Sequence, residues 1–350
     1  MARNGSSASS RRSFLKQASL GAGMGLGALL AGCGGGGTGP AGGGGGRRLR
    51  AAFSNGGIFH PWCKTGLDAA KLWGKLLNVE VVNFDGDNNP QTQRQRIELI
   101  VDDDWDFCCF QALQTGALAE PAKQLARRGI PVISMDTLLA EQHLQRESGV
   151  WTHVSADQVQ MGVSSTRYLM QRIGGRGKVI HIGGSNAHSG ARGRNKGFEQ
   201  VLARYPGVEV VGGGVRWCDW KPEKARDNFE AMLQQSAEPI AGAFFHNDNM
   251  ALASVPALKG TIHEKMVIAS VDGQEIGLAA VEDGRIAATT INPASMVHMM
   301  SLVIGRFIVV NGEKIDDVPP EIPLPTPLVS KEAGNLARVR YLADPRHGLV

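Results

Sequence analysis

Ala241-Gly242-Ala243-Phe244-Phe245 is an unbroken apolar run, and His246-Asn247-Asp248 separates it from Asn249-Met250-Ala251-Leu252, where a helical pattern begins. A short run with no polar alternation reads as a strand buried on both faces, and the polar triplet as the turn that opens a helix. The same unit recurs in both directions from this point. Strands are expected over 49–54, 79–84, 106–111, 131–134, 178–183, 208–211, 241–245, 266–271 and 286–291. Helices are expected over 63–77, 89–101, 121–128, 157–173, 191–203, 222–235, 248–258, 274–283 and 295–310. Asn89-Pro90 supplies a cap and a first-turn proline, and Gly129 a helix stop. Strands alternating with helices mean parallel sheets covered on both faces, and about ten strands suit two doubly wound units better than one.

The N-terminus has a different character. Ser10-Arg11-Arg12-Ser13-Phe14-Leu15-Lys16 precedes an apolar run over 18–31 that ends in Leu30-Ala31-Gly32-Cys33. Paired arginines before an apolar segment form a twin-arginine export signal, and small residues before a cysteine form a lipid-attachment box. The apolar segment, about 14 residues long, is too short and too rich in Gly and Ala for a stable transmembrane helix. Residues 1–33 are therefore expected to be a lipoprotein signal, with Cys33 lipidated outside the cytoplasmic membrane. Residues 34–47 form a glycine-rich linker, on the order of 20 Å long as a coil.

The formal charge of +4 over 350 residues is reduced by this reading, because Arg3, Arg11, Arg12 and Lys16 leave with the signal. A nearly neutral mature chain gives no electrostatic reason for a nucleic-acid partner. No second long apolar run is evident, so the folded body is expected to be soluble. Cys63, Cys108, Cys109 and Cys218 match no zinc or haem spacing, and Cys108-Cys109 reads as a pair of buried strand thiols. No metal and no cofactor is expected.

In doubly wound sheets ligands sit beyond the carboxyl ends of the strands. Those ends read Ser54-Asn55, Phe84-Asp85, Gln111, Met135-Asp136, Gly184-Ser185, Trp217-Cys218-Asp219-Trp220, His246-Asn247-Asp248, Asp272-Gly273 and Asn292-Pro293. They carry carboxylates, amides and aromatics, and no nucleophile–base pair, so no catalytic residue is assigned. Carboxylates and amides bridge adjacent hydroxyls, arginine adds a donor fork, and aromatic faces cover the C–H face of a sugar ring. The assortment suits a neutral hydroxylated small molecule. Asp157 and Asp248 precede helices and read as caps, Asp272-Gly273 also fits a plain turn, and Trp73 and Trp105 read as core.

From Arg48 to about Ser330 the chain resembles periplasmic sugar-binding proteins of the ribose-binding type, the substrate receptors of ABC importers. The resemblance rests on Asp87-Asn88-Asn89-Pro90, Ile130-Pro131-Val132-Ile133-Ser134-Met135-Asp136, Ala191-Arg192-Gly193-Arg194-Asn195-Lys196-Gly197-Phe198, Phe245-His246-Asn247-Asp248-Asn249-Met250-Ala251-Leu252, Val271-Asp272-Gly273 and Asp283-Gly284-Arg285-Ile286-Ala287-Ala288-Thr289. It implies that Asp136 holds hydroxyls from the first lobe, and Arg192, Asn247 and Asp272 from the second. Asn292 would lie at the crossing between them. The family's first-lobe aromatics fall on Phe59 and His60, with Trp62 close by, and its second-lobe aromatic on Trp220, with Trp217 as a rival. Asn55 and His188 are further contacts implied. Two departures set this chain apart: Thr137 stands where the family often has arginine, and His60-Pro61-Trp62-Cys63 replaces the usual aromatic pair. Both argue against ribose itself and leave a monosaccharide or polyol.

The implied fold is α/β, with two Rossmann-like lobes of the type I periplasmic binding protein joined by a three-segment hinge. Residues 48–152 plus 293–318 would form the first lobe, and 153–292 plus 319–350 the second lobe and a tail packed on the hinge. Crossings are expected over 151–155, 291–293 and 318–322. The implied function is capture of the ligand by hinge closure and delivery to an ABC permease, by a monomer anchored outside the membrane. Three alternatives stay open: a sugar sensor for a chemoreceptor or membrane kinase, an exported oxidoreductase, and phosphate binding by the loop over 183–190. The oxidoreductase lacks support at Phe53-Ser54-Asn55-Gly56-Gly57-Ile58-Phe59, which does not carry the G-x-G-x-x-G spacing.

Overall fold

The computed structural model describes residues 47–344. The expected signal, Cys33 and residues 34–46 of the linker lie outside the described residues. The chain opens as β1 (Leu49–Asn55), α1 (Pro61–Leu76), β2 (Val79–Asp85), α2 (Pro90–Glu98), β3 (Phe107–Phe110), α3 (Ala119–Arg127), β4 (Val132–Met135) and β5 (Val150–Ala156). It continues as α4 (Gln158–Arg172), β6 (Arg176–Gly183), α5 (Ser189–Leu202), β7 (Gly207–Val210), β8 (Arg216–Trp217), α6 (Pro222–Gln234), β9 (Gly242–Phe245), α7 (Asp248–Ser254), β10 (Val267–Asp272), α8 (Glu275–Asp283) and β11 (Ala288–Ile291). The last part holds α9 (Ala294–Asn311), β12 (Glu321–Leu324), β13 (Leu328–Ser330) and α10 (Leu336–Ala343).

Two sheets result. The first runs β12-β5-β4-β3-β1-β2 and is parallel throughout. The second runs β13-β11-β10-β9-β6-β7, with β8 also on β6 and only β13 antiparallel. The inner strands β3, β4, β9 and β11 are buried along their whole length, as continuous apolar or Thr-rich runs require when helices cover both faces. In each sheet the first strand of the unit, β1 or β6, lies between the second and the third. Chain direction therefore diverges there, and a crevice opens beyond the carboxyl ends.

The crossings differ in part from expectation. β5 pairs with β4 to Val154 and with β12 to Ala156, and β12 pairs with β5 to Leu324, so both strands belong to the first sheet. The first and third crossings consequently lie at Asp157 and over 325–327, and residues 321–324 move from the second lobe to the first. The reason is that β5 needs an outer partner. Pro323 lacks an N–H, which an edge strand such as β12 tolerates. The second crossing lies at Asn292-Pro293, between β11 and α9, with Ile291 still in β11.

α9 is an apolar run that the reading of hydropathy passed over. It is 18 residues long with mean hydropathy 1.5, yet Val297, Leu302 and Ile308 are buried in the first lobe's core. Gly66 on α1 admits this helix, since a Cβ there would lie 2.1 Å from the His298 ring. Capping follows the sequence at two points: Asn89 accepts from Gln91 and Thr92 N–H, and Asp157 from Gln160 N–H. Such a cap contributes about 1 kcal/mol. The described cysteines are free, buried thiols. The tail helix α10 sits on the second lobe, where Arg340 pairs with Glu275 and Glu282 on α8.

Candidate ligand-binding cleft

The carboxyl ends of both sheets face one cleft of about 540 Å³, including its mouth. Its wall includes His60, Trp62, Gln111, Asp136, His188, Arg194, Trp220, Asn247, Asn249, Asp272, Gln274 and Asn292. Eight of the expected contacts are therefore brought together: His60, Trp62, Asp136, His188, Trp220, Asn247, Asp272 and Asn292.

Asp136, at the end of β4, is 4% exposed and anchors the first-lobe side. Its Oδ1 accepts from Gln158 Nε2 at 2.8 Å and Asn292 Nδ2 at 3.1 Å. Its Oδ2 accepts from Gln111 Nε2 at 3.3 Å and Thr137 Oγ1 at 3.4 Å. Asp272, at the end of β10, faces Arg194 at 3.2 Å and accepts from Gln274 Nε2 at 3.1 Å. Burial pushes its carboxyl up to about 6, against the pull of Arg194. Arg194 also donates from Nε to Gln158 Oε1 at 2.9 Å and from Nη1 to the His246 carbonyl, and its guanidinium lies 5.6 Å from the Trp220 ring. A continuous chain of polar contacts thus runs Asp272–Arg194–Gln158–Asp136–Asn292 across both lobes.

His188 caps α5 by accepting from Ala191 N–H at 3.4 Å through Nδ1. That leaves the proton on Nε2, which donates to Thr137 Oγ1 at 2.6 Å, and Thr137 in turn donates to Asp136. Burial pushes His188 down to about 4, so the ring is neutral at pH 7. Asp136, Asp272 and Trp220 all take positive φ, at 54°, 110° and 61°. Non-glycine residues there store on the order of 1–3 kcal/mol of strain each, and such strain gathers at functional sites. Gly184 makes room for Trp220, since a Cβ would come 2.4 Å from its ring.

Three expected contacts are placed elsewhere. Arg192 lies at the rim, paired with Glu141 across the lobes at 3.0 Å, and Arg194 is the arginine of the cleft. Two residues along a helix turn the side chain by about 200°, so the two arginines point opposite ways. Phe59 is 62% exposed outside the cleft, with its ring 4.1 Å from that of His60. Asn55 is fully buried and directed to α9, its side-chain amide 2.7 Å from His298 Nε2. Trp220 rather than Trp217 borders the cleft; Trp217 lies edge-on to His246 at 5.8 Å. Asn247 caps α7 through Met250 N–H. Asp248 is that helix's first residue, bound to Ser270, Thr289 and the Gln274 N–H, with its carboxyl pushed by burial to about 7.

In the loop over 183–190 several backbone donors that a phosphate would use are taken within the protein, Gly184 N–H by His246 Nδ1 and His188 N–H by the Ser185 carbonyl. Ser189 N–H is taken by Thr115 Oγ1 and Ala191 N–H by His188. The residues missed were Arg194, Gln158, Gln274 and Asn249, with Gln111 noted as a strand end but not as a contact. Gln158 and Gln274 follow Asp157 and Asp272-Gly273 closely, and that spacing was the available signal.

A periplasmic binding protein domain model matches residues 51–303. The chain belongs to the periplasmic binding protein family. Its members are binding proteins. The chain is 26% identical over 256 residues to the xylitol-binding protein of Mycolicibacterium smegmatis, covering 73% of this chain and 70% of that one. It is 25% identical over 257 residues to a ribose import binding protein of Haemophilus influenzae, covering 73% and 84%. In structure it is similar to an ABC transporter solute-binding protein from Bacillus halodurans with bound myo-inositol: TM-score 0.75, 18% identity, 84% of this chain and 98% of that one. That similarity establishes the two-lobed fold of the type I periplasmic binding protein.

Proposed function

We propose that this periplasmic binding protein captures a monosaccharide or polyol between its lobes and delivers it to an ABC permease. The observation that carries the reading is a set of buried polar atoms without a protein partner on residues that line the cleft. These are Asn292 Oδ1, Gln274 Oε1, Asn249 Oδ1 and Trp220 Nε1. Groups of this kind meet hydroxyls at little cost, whereas an apolar ligand would leave each one unsatisfied. The flat indole faces of Trp62 and Trp220 suit the C–H face of a ring.

Capture proceeds by hinge closure about Asp157, Asn292-Pro293 and residues 325–327. In the closed form the rims meet directly. Leu138 N–H donates to Ser189 Oγ at 3.0 Å, Thr115 N–H to the Ala187 carbonyl at 3.0 Å, and Arg192 pairs with Glu141. Export by the twin-arginine route and a lipid on Cys33 would tether a monomer beside its permease.

A thermal-shift screen against pentoses, hexoses, sugar alcohols and inositols tests the reading, because a ligand that binds only the folded state raises Tm by mass action. A dose-dependent rise with one or two of them, lost on Asp272→Ala, is expected. No rise with any, from a variant pair that both fold, would remove the monosaccharide and polyol class.

A further inference from the structure

The charges lining the cleft do not cancel. Two carboxyl groups, Asp136 and Asp272, face one guanidinium, Arg194, while burial lowers the His188 and His60 rings below the usual histidine range. The surplus belongs to Asp136. All four of its partners are neutral donors, and the ion pairs among the described residues give it no cation. Thr137 stands beside it, bonded to a neutral histidine.

The two carboxylates also fix the direction of two amides. A carboxylate only accepts, so the amide it meets must turn its NH2 group inward and its oxygen away. Asn292 donates to Asp136 and leaves Oδ1 free; Gln274 donates to Asp272 and leaves Oε1 free. Asn292 is 3% exposed. Asn292 follows β11 directly and Gln274 lies two residues beyond β10, the neighbouring strand, and Asn292 N–H donates to the Asp272 carbonyl at 3.0 Å. Each free oxygen is polarised by the carboxylate behind it, because hydrogen-bonded chains strengthen one another. A hydroxyl offers one donor to such a pair, whereas an ammonium offers three donors, no acceptor and the missing charge.

Resting on the polyol reading above, we propose that the cleft is built for a polyol or sugar bearing a protonated amine, seated on Asn292 Oδ1 and Gln274 Oε1. The expectation of a neutral ligand is revised accordingly. The hydroxyls of the ligand meet Asn249 and the Trp220 N–H on the remaining wall.

The test is calorimetric titration of the purified protein with matched pairs: a hexose and its amino-deoxy form, an inositol and its amine, a linear pentitol and its terminal amine. The N-acetyl form of each amine serves as the uncharged control. In the pair that fits, the amine should bind at least about tenfold tighter than its hydroxyl counterpart, as a desolvated charge pair supports. N-acetylation should abolish that gain, and Asp136→Asn, checked for folding by its Tm, should bring the amine-to-hydroxyl ratio toward one. A neutral polyol that binds as tightly as its amine overturns this inference and leaves the polyol reading standing. No binding from either series overturns both.

Discussion

Arg194→Met, set against Arg192→Ala, separates the arginine that the structure places in the cleft from the one that the family resemblance implies. Methionine keeps the aliphatic stem and removes every donor. Asp272 then loses the one cation it pairs with among the described residues, and Gln158 Oε1 and the His246 carbonyl each lose the donor that Arg194 supplies. Arg194 and Asp272 are only 3% and 7% exposed. Breaking such a buried pair destabilises by about 3–5 kcal/mol. The lower end applies, because Asp272 already sits at about 6 with Arg194 present and can take up a proton once it is gone. A loss of about 3 kcal/mol corresponds to roughly a hundredfold in an equilibrium constant. Arg192 and Glu141 are 37% and 56% exposed, so solvent screening limits that pair to about 0–1 kcal/mol. Urea unfolding with a common slope would measure the stability difference, and calorimetry the ligand affinity. The reasoning fails if Arg192→Ala costs more than Arg194→Met, or if Arg194→Met changes stability by less than about 0.5 kcal/mol.

Acidification should lower Tm between about pH 6.5 and 4. His153, His188 and His298 are each lowered by burial to about 4, so the unfolded chain binds their protons first and stability drains as pH falls through that window. Asp248 and Asp272 act in the opposite sense, since carboxyls raised to about 7 and about 6 gain stability as pH falls, but they are outnumbered. A Tm flat or rising from pH 6.5 to 4.5 would count against this balance. Gly184→Ala should displace Trp220 and cost about 1–3 kcal/mol by overpacking, seen as a lower Tm together with weaker ligand binding. Unchanged binding in that variant would mean that Trp220 does not shape the cleft. Phe59→Ala should alter stability by no more than about 0.5 kcal/mol, whereas Trp62→Ala, which removes a 3.0 Å hydrogen bond to the Asn292 carbonyl, should cost about 3 kcal/mol or more. Paired melts would show the order, and equal losses would contradict it.

The sheets were legible because burial on both faces leaves continuous apolar runs such as Phe107–Phe110 and Gly242–Phe245. β5 escaped for the opposite reason. Thr152, His153 and Ser155 are polar yet buried, and His153 satisfies itself on Ser134 at 2.8 Å, a partner that no local pattern reveals. β12 escaped because it is an edge of four residues with a proline inside. Among the expected contacts, Asp136, Asp272 and Asn292, which stand at strand ends, line the cleft. Those fixed by helix phase, or by what another lobe presents, were misplaced. Arg192 and Arg194 share one helix and one composition, and what distinguishes them is that α5 starts at Ser189 with His188 held by Thr137 of the other lobe. Asn55 illustrates the same limit at the hinge, where α9, returning from the second crossing, places His298 against it.

The charge of the cleft is the deepest case, because it belongs to no single motif. Asp136 comes from β4, Gln111 from the end of β3, Gln158 from the start of α4, and Asn292 from the crossing after β11. Each residue reads alone as an ordinary polar strand end. Only when four neutral donors converge on one carboxylate, with the Arg194 guanidinium paired to Asp272, does the imbalance become a property of the site. Thr137 is the point at which the sequence carried the information in advance: an arginine there would have neutralised the cleft, and a hydroxyl cannot. The absence of that positive charge is therefore better understood as a determinant of what the cleft accepts than as a tolerated departure from the ribose-type pattern.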